Sequence, residues 1–525
     1  MSSDLDCNSD VKMTSIDDLL VNLGPWHYWI MIFCFLRGFP TAYHAMAPTF
    51  AAPSVDHWCT KPLLLSNWST ERWKTEGIPL VDKGKGRWRR SDCEMHPVRE
   101  SSGEIRILND TAVPCLSWDY DVTDYTSTLT SQFDLVCDRI WLRATSQSMY
   151  MVGVMAGSFF YAHISDWYGR KTALTLALPM PLIGGLTSTF ASSFQVYIVG
   201  RMLASFGLGG LYNTGYTLMN ECVAVKHRAL GTFLVSVGWT VGLLTLVGLA
   251  WVIRNWFYLQ LAITLAVLSN IALLYFITES PRWLLATGKF KQARQTLNCI
   301  IAKNKIQGFS ADSVVSKFHK RIAKGASKRR VTFLDLFRPS LRKSSIIMAF
   351  MGIFDSLVYF NQTYSSILLG RNPYLSFTLT SASELPGWIA SVFFIRYVHR
   401  KTTYIVMYSM QAAGSAIIAC LADELWWLQL GFAVLVKLGA TCSLNVIIVH
   451  MSEIYPTEIR TLATGFAITG STLGAMIAPF TKELGVIFAP WVPRAVDIVL
   501  CLLLLLLGLS LPETLKAELP DTMED

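Results

Sequence analysis

Several ionisable side chains stand inside long apolar runs of this chain: Arg37 and His44 early on, then Arg201, Asp355, Glu384, Lys437 and His450. A charge in such a setting costs about 3 kcal/mol or more at the centre of a bilayer, so it faces an interior, pairs, or meets a ligand. Asp355 and Glu384 fall on different runs, and either could face Lys437. If all three line one cavity, its charge is net negative, which selects a cation or a zwitterion. The competing reading joins Lys437 to one carboxylate as a structural bridge. Arg201 reads as structural, near the cytoplasmic end of its run, and His450 as a satisfied core histidine. Tyr212, Tyr216, Trp239, Tyr359 and Tyr364 lie in the runs too. Rings gathered around an organic ammonium attract it by roughly 0.5–2 kcal/mol each; singly, each is a packing residue. Such a constellation binds rather than breaks bonds. With no Walker A string and no H-E-x-x-H pair, neither ATP hydrolysis nor zinc chemistry is expected, and no cofactor or metal is implied.

A second set of charges sits between the runs. Asp166 with Gly169, Arg170 and Lys171 marks a tight turn in which a carboxylate can cap the next helix. In Glu279-Ser280-Pro281-Arg282-Trp283-Leu284 the proline stops a helix, while Glu279 and Arg282 can pair with neighbouring helix ends. Clusters of this kind can lock one conformation and release in another; their alternative role is as simple topology signals.

The runs that carry these residues dominate the composition. Of 525 residues, 52% are hydrophobic and 16% charged, against about a quarter charged in soluble proteins. Apolar runs of about 20 residues identify membrane-spanning helices, which excludes soluble enzymes and nucleic-acid binders. We read spans at 25–48, 142–162, 172–191, 195–217, 229–250 and 256–277, then at 343–365, 376–395, 402–421, 425–450, 461–481 and 493–511. The expected domains are an N-terminal segment 1–24, a six-helix bundle 25–277 with a hydrophilic loop 50–140, a basic linker 278–342, a second bundle 343–511 and a tail 512–525. Between Glu279 and Lys343 stand 16 Lys/Arg against 3 Asp/Glu, a surplus of 13 that exceeds the +8 of the whole chain. Short basic loops stay in the cytoplasm, so both termini are expected there. No basic n-region of a signal peptide precedes the first span.

Loop 50–140 is then extracellular, its basic Lys83 to Arg90 notwithstanding, because long segments translocate largely regardless of charge. It holds Cys59, Cys93, Cys115 and Cys137, and two glycosylation sequons at Asn67 and Asn109, so two disulfides are expected. The halves also repeat. Arg170-Lys171 precedes Arg400-Lys401 by 230 residues, and Glu221 and Arg228 precede Glu453 and Arg460 by 232. Matched landmarks in two six-span halves are what duplicated transporters show, with a site between the halves near the midplane.

The string Pro114-Cys115, Trp118, Tyr120-Asp121 and Phe133-Asp134-Leu135-Val136-Cys137 resembles the end of the large extracellular loop of the organic cation, anion and carnitine transporters. These are a branch of the major facilitator superfamily. Gly169-Arg170-Lys171, Ile253-Arg254-Asn255-Trp256, Glu279 to Leu284, Glu453-Ile454-Tyr455-Pro456-Thr457 with Arg460, and Leu511-Pro512-Glu513-Thr514 continue the resemblance to the C-terminus. It implies an all-α membrane protein of twelve transmembrane helices in two pseudo-symmetric six-helix bundles, alternating access around one site, and pairing of Cys59 with Cys115 and Cys93 with Cys137. By position it implies Tyr212, Trp239, Asp355, Tyr359, Glu384, Lys437 and Asn445 as cavity or gating residues; with His44 and Thr472 they make the candidate substrate-binding set. Asp166, Arg170, Lys171, Glu221, Arg228, Glu279, Arg282, Glu453 and Arg460 become gating residues. Ala162, Trp167, Arg396 and His399 depart from the family's turn signature, and Thr472 stands where cation members often carry aspartate and anion members arginine.

The expectation is a multi-pass plasma-membrane transporter of small organic cations or zwitterions, with the lipid bilayer and a small organic ion as its partners and no nucleic acid. The membrane potential supplies about 2.3 kcal/mol per charge per 100 mV for accumulating a cation. The alternatives are an organic anion exchanger working against dicarboxylate through Lys437 and His44, and a non-transporting receptor on the same fold.

Overall fold

The computed structural model describes residues 16–53, 55–82, 88–101, 104–108, 110–123, 125–306, 310–323, 333–339, 341–456, 459–489 and 491–515. Among the described residues, twelve helical spans run back and forth. The first half comprises Pro25–Leu36 with Gly38–Ala51, Trp141–Tyr168, Arg170–Ala177 with Pro179–Thr189, Phe194–Cys222, Arg228–Val252, and Trp256–Leu265 with Val267–Leu274. The second comprises Arg342–Ser365, Pro373–Ala382 with Glu384–Tyr397, Arg400–Cys420, Trp426–Ile454, Arg460–Ile487 and Val492–Leu509. One end of the bundle bears the long loop after the first span (the loop end). The other bears the linker after the sixth (the linker end).

Eight spans are long and apolar enough to cross a membrane on composition alone. The first, third, sixth and eighth are interrupted, and the second carries Arg143, Gln147 and Ser148, all buried against other helices. In the first and eighth spans the interruption has a local cause. Pro40 has no N–H to offer the carbonyl of Leu36, which accepts instead from Asn270 Nδ2 at 3.4 Å. Gly38 lies so close to the fifth span that a Cβ would stand 2.5 Å from the Gly238 carbonyl carbon and 2.6 Å from the Trp239 backbone nitrogen. In the eighth span Pro386 leaves the carbonyl of Ala382 without its helical donor, and the second segment starts at Glu384. A carboxylate in a first helical turn is favoured by the helix dipole.

The halves pack internally by close backbone approach. A Cβ on Gly157 would collide with the carbonyl of Phe206, and one on Gly474 with that of Ile353, as expected where lipid offers no hydrophobic drive and helices associate by tight packing. The long loop is built from four antiparallel strand pairs, among them His57–Cys59 with Trp118–Tyr120 and Leu80–Asp82 with Trp88–Arg90. Disulfides join Cys59 to Cys115 and Cys93 to Cys137, the pairing the family resemblance implies. Buried Trp73 donates to the Cys59 carbonyl at 2.8 Å. Asn67 is exposed; Asn109 lies outside the described residues. At the linker end, the short helix Ile16–Val21 buries Ile16, Leu19 and Leu20, and its Asp17 pairs with Arg282 at 2.6 Å.

Candidate functional site: a cavity between the halves

Between the halves lies a cavity of about 300 Å³, at the lower end of the range for small-molecule sites. Its wall takes Arg37 from the first span, Tyr212 from the fourth, Trp239 from the fifth, Asp355 and Tyr359 from the seventh and Trp388 from the eighth. Thr472 of the eleventh span lines it as well. The wall reaches toward the linker end through Ile448, Met451 and Thr464.

The loop side is closed by contacts across the halves. Arg143 meets Glu483 at 2.7 Å with both side chains under 10% exposed. Gln147 donates to Tyr364 Oη at 2.9 Å and Ser148 to the Met476 carbonyl at 2.6 Å. Phe50 stacks on Tyr374 with ring centroids 5.7 Å apart. At mid-depth Trp239 Nε1 donates to Tyr359 Oη at 3.2 Å, and Thr240 donates to Glu384 Oε2 at 3.0 Å.

Asp355 is 1% exposed. Its Oδ1 accepts from Tyr408 Oη at 3.1 Å and Ser443 Oγ at 2.7 Å, while Oδ2 has no partner among the described residues. One carboxylate oxygen is thus fixed and the other is not.

The expectation that Asp355, Glu384 and Lys437 line one net-negative cavity is corrected. Lys437 Nζ lies 3.1 Å from Glu384 Oε1, donates to Thr363 Oγ1 at 2.5 Å, and sits 3.3 Å from the centroid of the Tyr359 ring. Glu384 also accepts from Tyr359 Oη at 2.5 Å. The pair is self-satisfied behind Tyr359, and neither member is in the cavity wall. The wall carries Arg37 instead, so its two charged side chains are of opposite sign. His44 is also displaced. Thr41 and Ala45 occupy the cavity face of the first span, while His44 turns away with its carbonyl accepting from Arg201 at 3.2 Å. Asn445 donates to Ser391 at 2.6 Å outside the wall. Arg201 lies toward the loop end, since the fourth span starts there, and donates to Gln147 at 2.8 Å. His450 is bonded to Tyr404 Oη and to the Pro512 carbonyl. Tyr216 and Tyr364 do not line the cavity.

The charged turns assemble at the linker end. Arg170 grips Glu221 with two bonds of 2.9 and 2.8 Å, donates to the Ser165 carbonyl at 2.7 Å and meets Asp166 at 3.0 Å. Glu279 accepts from the backbone N–H groups of Arg170 and Lys171, and Arg282 donates to the Glu221 carbonyl at 3.0 Å. In the second half Arg400 grips Glu453 with bonds of 3.0 and 2.7 Å and donates to the Ile395 carbonyl at 2.7 Å. Glu513 accepts from the N–H groups of Arg400 and Lys401. Burial pushes the Glu279 carboxyl above its ordinary value, against the donors that favour its charge. Glu513 is pushed up by burial too, but the backbone donors of Arg400, Lys401 and Leu515 outweigh it and hold the group below its ordinary value. Arg228 stands at the start of the fifth span; the side chain of Arg460 lies outside the described residues.

Sequence reasoning passed over Tyr150 and Trp388 of the wall, since an aromatic residue in an apolar run carries no mark of the face it takes. It also passed over Arg143–Glu483. Arg143 stood one residue inside a drawn span and Glu483 just beyond another, and nothing in the string places those two ends together.

The family model described as "Sugar (and other) transporter" matches residues 122–520. The organic cation transporter protein of Drosophila melanogaster is 28% identical over 97% of this chain and 94% of its own length. Organic anion transporter 3 of Mus musculus is 28% identical over 98% and 94%. Among solved structures, the inward-open xylose transporter of E. coli is similar in fold, with a TM-score of 0.61 at 15% identity, covering 94% of this chain and 98% of that one.

Proposed function

This chain belongs to the sugar (and other) transporter family, within which its relatives carry organic ions, and on that premise we propose that it moves small organic cations or zwitterions by alternating access. It is a multi-pass membrane transporter and not an enzyme. The observation that carries the substrate reading is Asp355: a buried carboxylate with one oxygen held and one unpartnered, set among Tyr212, Trp239, Tyr359 and Trp388. Such a wall attracts an organic ammonium by charge and by the ring faces.

In this reading the linker end faces the cytoplasm, supported by its basic turns and linker. The disulfide-bonded loop then lies outside the cell at the plasma membrane, with Asn67 open to glycosylation. The state described here has its outer side shut by Arg143–Glu483 and neighbouring contacts, and its cavity extends toward the cytoplasm. Rocking of the halves would break that seal and close the inner mouth. Arg170–Glu221 and Arg400–Glu453, with Glu279 and Arg282, hold each half rigid through the motion.

The test is uptake in voltage-clamped oocytes, presenting labelled organic cations, zwitterions and anions in turn. Saturable uptake of an ammonium-bearing substrate, lost in Asp355→Asn at equal surface abundance, is the expected result. Uptake of anions alone, stimulated by preloaded dicarboxylate, overturns it.

A further inference from the structure

Arg37 is 1% exposed, lies at mid-depth in the cavity wall, and has no carboxylate partner among the described residues. Its Nη1 donates to the Tyr212 carbonyl at 2.8 Å, and its guanidinium carbon stands 4.9 Å from the centroid of the Tyr212 ring. These contacts orient the group without neutralising it. Nε and Nη2 remain buried and unbonded among the described residues. They form one edge of the planar guanidinium, the pair of parallel N–H donors that matches a carboxylate bidentately. The side chain is pinned along its length: a Cβ on Gly215 would come within 3.0 Å of Arg37 Cδ and 3.2 Å of its Nε, so the absent side chain there makes the room Arg37 occupies.

Asp355 shares the same cavity with its own unpartnered oxygen. An isolated buried charge is costly unless a counter-charge or a full set of hydrogen bonds meets it. This cavity keeps two, of opposite sign and on different halves. A lone cation would answer Asp355 and add repulsion at Arg37; a lone anion would do the reverse. A ligand with both charges answers both.

We infer that Arg37 is a carboxylate-receiving subsite and that the cavity is a two-pole site for a small zwitterion, its ammonium toward Asp355 and the rings, its carboxylate on the guanidinium of Arg37. This inference rests on the carrier reading above and narrows it. It also makes Arg37 the residue that separates zwitterions from plain cations.

The test uses the full chain in oocytes and three labelled probes of one shape: 4-trimethylammoniobutanoate, its methyl ester, and 5,5-dimethylhexanoate. Wild type is expected to prefer the zwitterion over the ester and the carboxylate by at least about tenfold. Arg37→Gln should collapse the zwitterion-to-ester preference by about tenfold or more, and Arg37→Lys should restore part of it. Asp355→Asn should instead collapse the zwitterion-to-carboxylate preference. Ratios within one variant are independent of how much protein reaches the surface. If wild type takes the ester as well as the zwitterion, or if the ratio ignores Arg37, the two-pole site is wrong while the carrier reading stands. If no probe of any charge enters wild-type cells with the protein at the surface, both fall.

Discussion

Arg170 and Arg400 occupy the same place in the two halves, and their surroundings are almost superimposable in kind. Each grips one glutamate side-on, each donates its third nitrogen to a carbonyl five residues back, and each has its own backbone N–H bound by a later glutamate. Inside the bundle the halves part company. The first contributes Arg37 and Arg201, with no carboxylate opposite either among the described residues; the second contributes Asp355, together with the internally paired Glu384–Lys437 and Asp497–Arg494. The difference separates two jobs of a duplicated fold. What holds a six-helix half together can be copied, because both halves need it. What recognises a ligand cannot, because a site between two identical walls would present like charges to each other.

The turn clamps are where that division is most easily broken. Arg170→Ala or Arg400→Ala strands a half-buried glutamate beside a helix end. Removing one partner of a buried, bidentate pair costs about 3–5 kcal/mol. Both variants should lose most of their surface abundance, by similar amounts, in a surface-biotinylation assay. If one substitution is tolerated and the other is not, the clamps are not equivalent copies.

Glu384 and Lys437 test the other side of the comparison, a charged pair at mid-depth assigned to structure. Glu384→Gln or Lys437→Met alone should cost about 3 kcal/mol, since each leaves a buried charge without its partner. The double variant should regain most of that stability, measured by thermal unfolding in detergent, and should also regain transport. Recovered stability with no recovered transport would move the pair from scaffold to ligand site.

The i−4 position of the turn sharpens the comparison more gently. Asp166, 71% exposed in its side chain, meets Arg170 in the first half, where the second half has Arg396. Exposed pairs of this spacing contribute about 0.3–0.5 kcal/mol. Asp166→Asn should therefore leave abundance and uptake within about twofold. A large loss would mean that the acid, and not the arginine–glutamate grip, is the working part of the first turn.

The scaffold was legible because its signals are local or periodic. Apolar runs, the offset between Arg170 and Arg400, and the loop cysteines each announce themselves within a short window. The cavity was legible only in part. Asp355, Tyr212, Trp239, Tyr359 and Thr472 were named from the string and are in the wall. Glu384 and Lys437 were named for the same reason, a charge in an apolar run, and are not. A sequence records that a charge is buried, but not whether its partner is another side chain or a ligand. Which way Glu384 points depends on the break before it and on Thr240, Tyr359 and Lys437 arriving from the fifth, seventh and tenth spans. Arg37 stood in plain view as a mid-span charge, yet its importance lies in having no partner, which only the packed structure can show.

The smallest predicted effect concerns Glu279 and Glu513, which do the same thing at the two turns with opposite titration. Glu279 is raised above its ordinary value by burial, so the folded protein holds that proton more tightly than the unfolded chain does. Its contribution to stability is full below the unfolded value and is lost as pH rises through the folded one. Glu513 is held low by its backbone donors, which outweigh burial; its contribution is present above the unfolded value and is lost as pH falls through the folded one. Glutamine cannot titrate at either place. The destabilisation caused by Glu279→Gln should therefore grow as pH falls through the acid range, and that caused by Glu513→Gln should shrink. Both shifts should be small, on the order of 1–2 °C in the unfolding midpoint, because the groups lie at helix ends near water. Melting curves of the two variants against wild type at neutral and mildly acid pH read the sign directly. Parallel trends would mean that the second glutamate shelf is a true copy of the first, and that burial alone distinguishes neither.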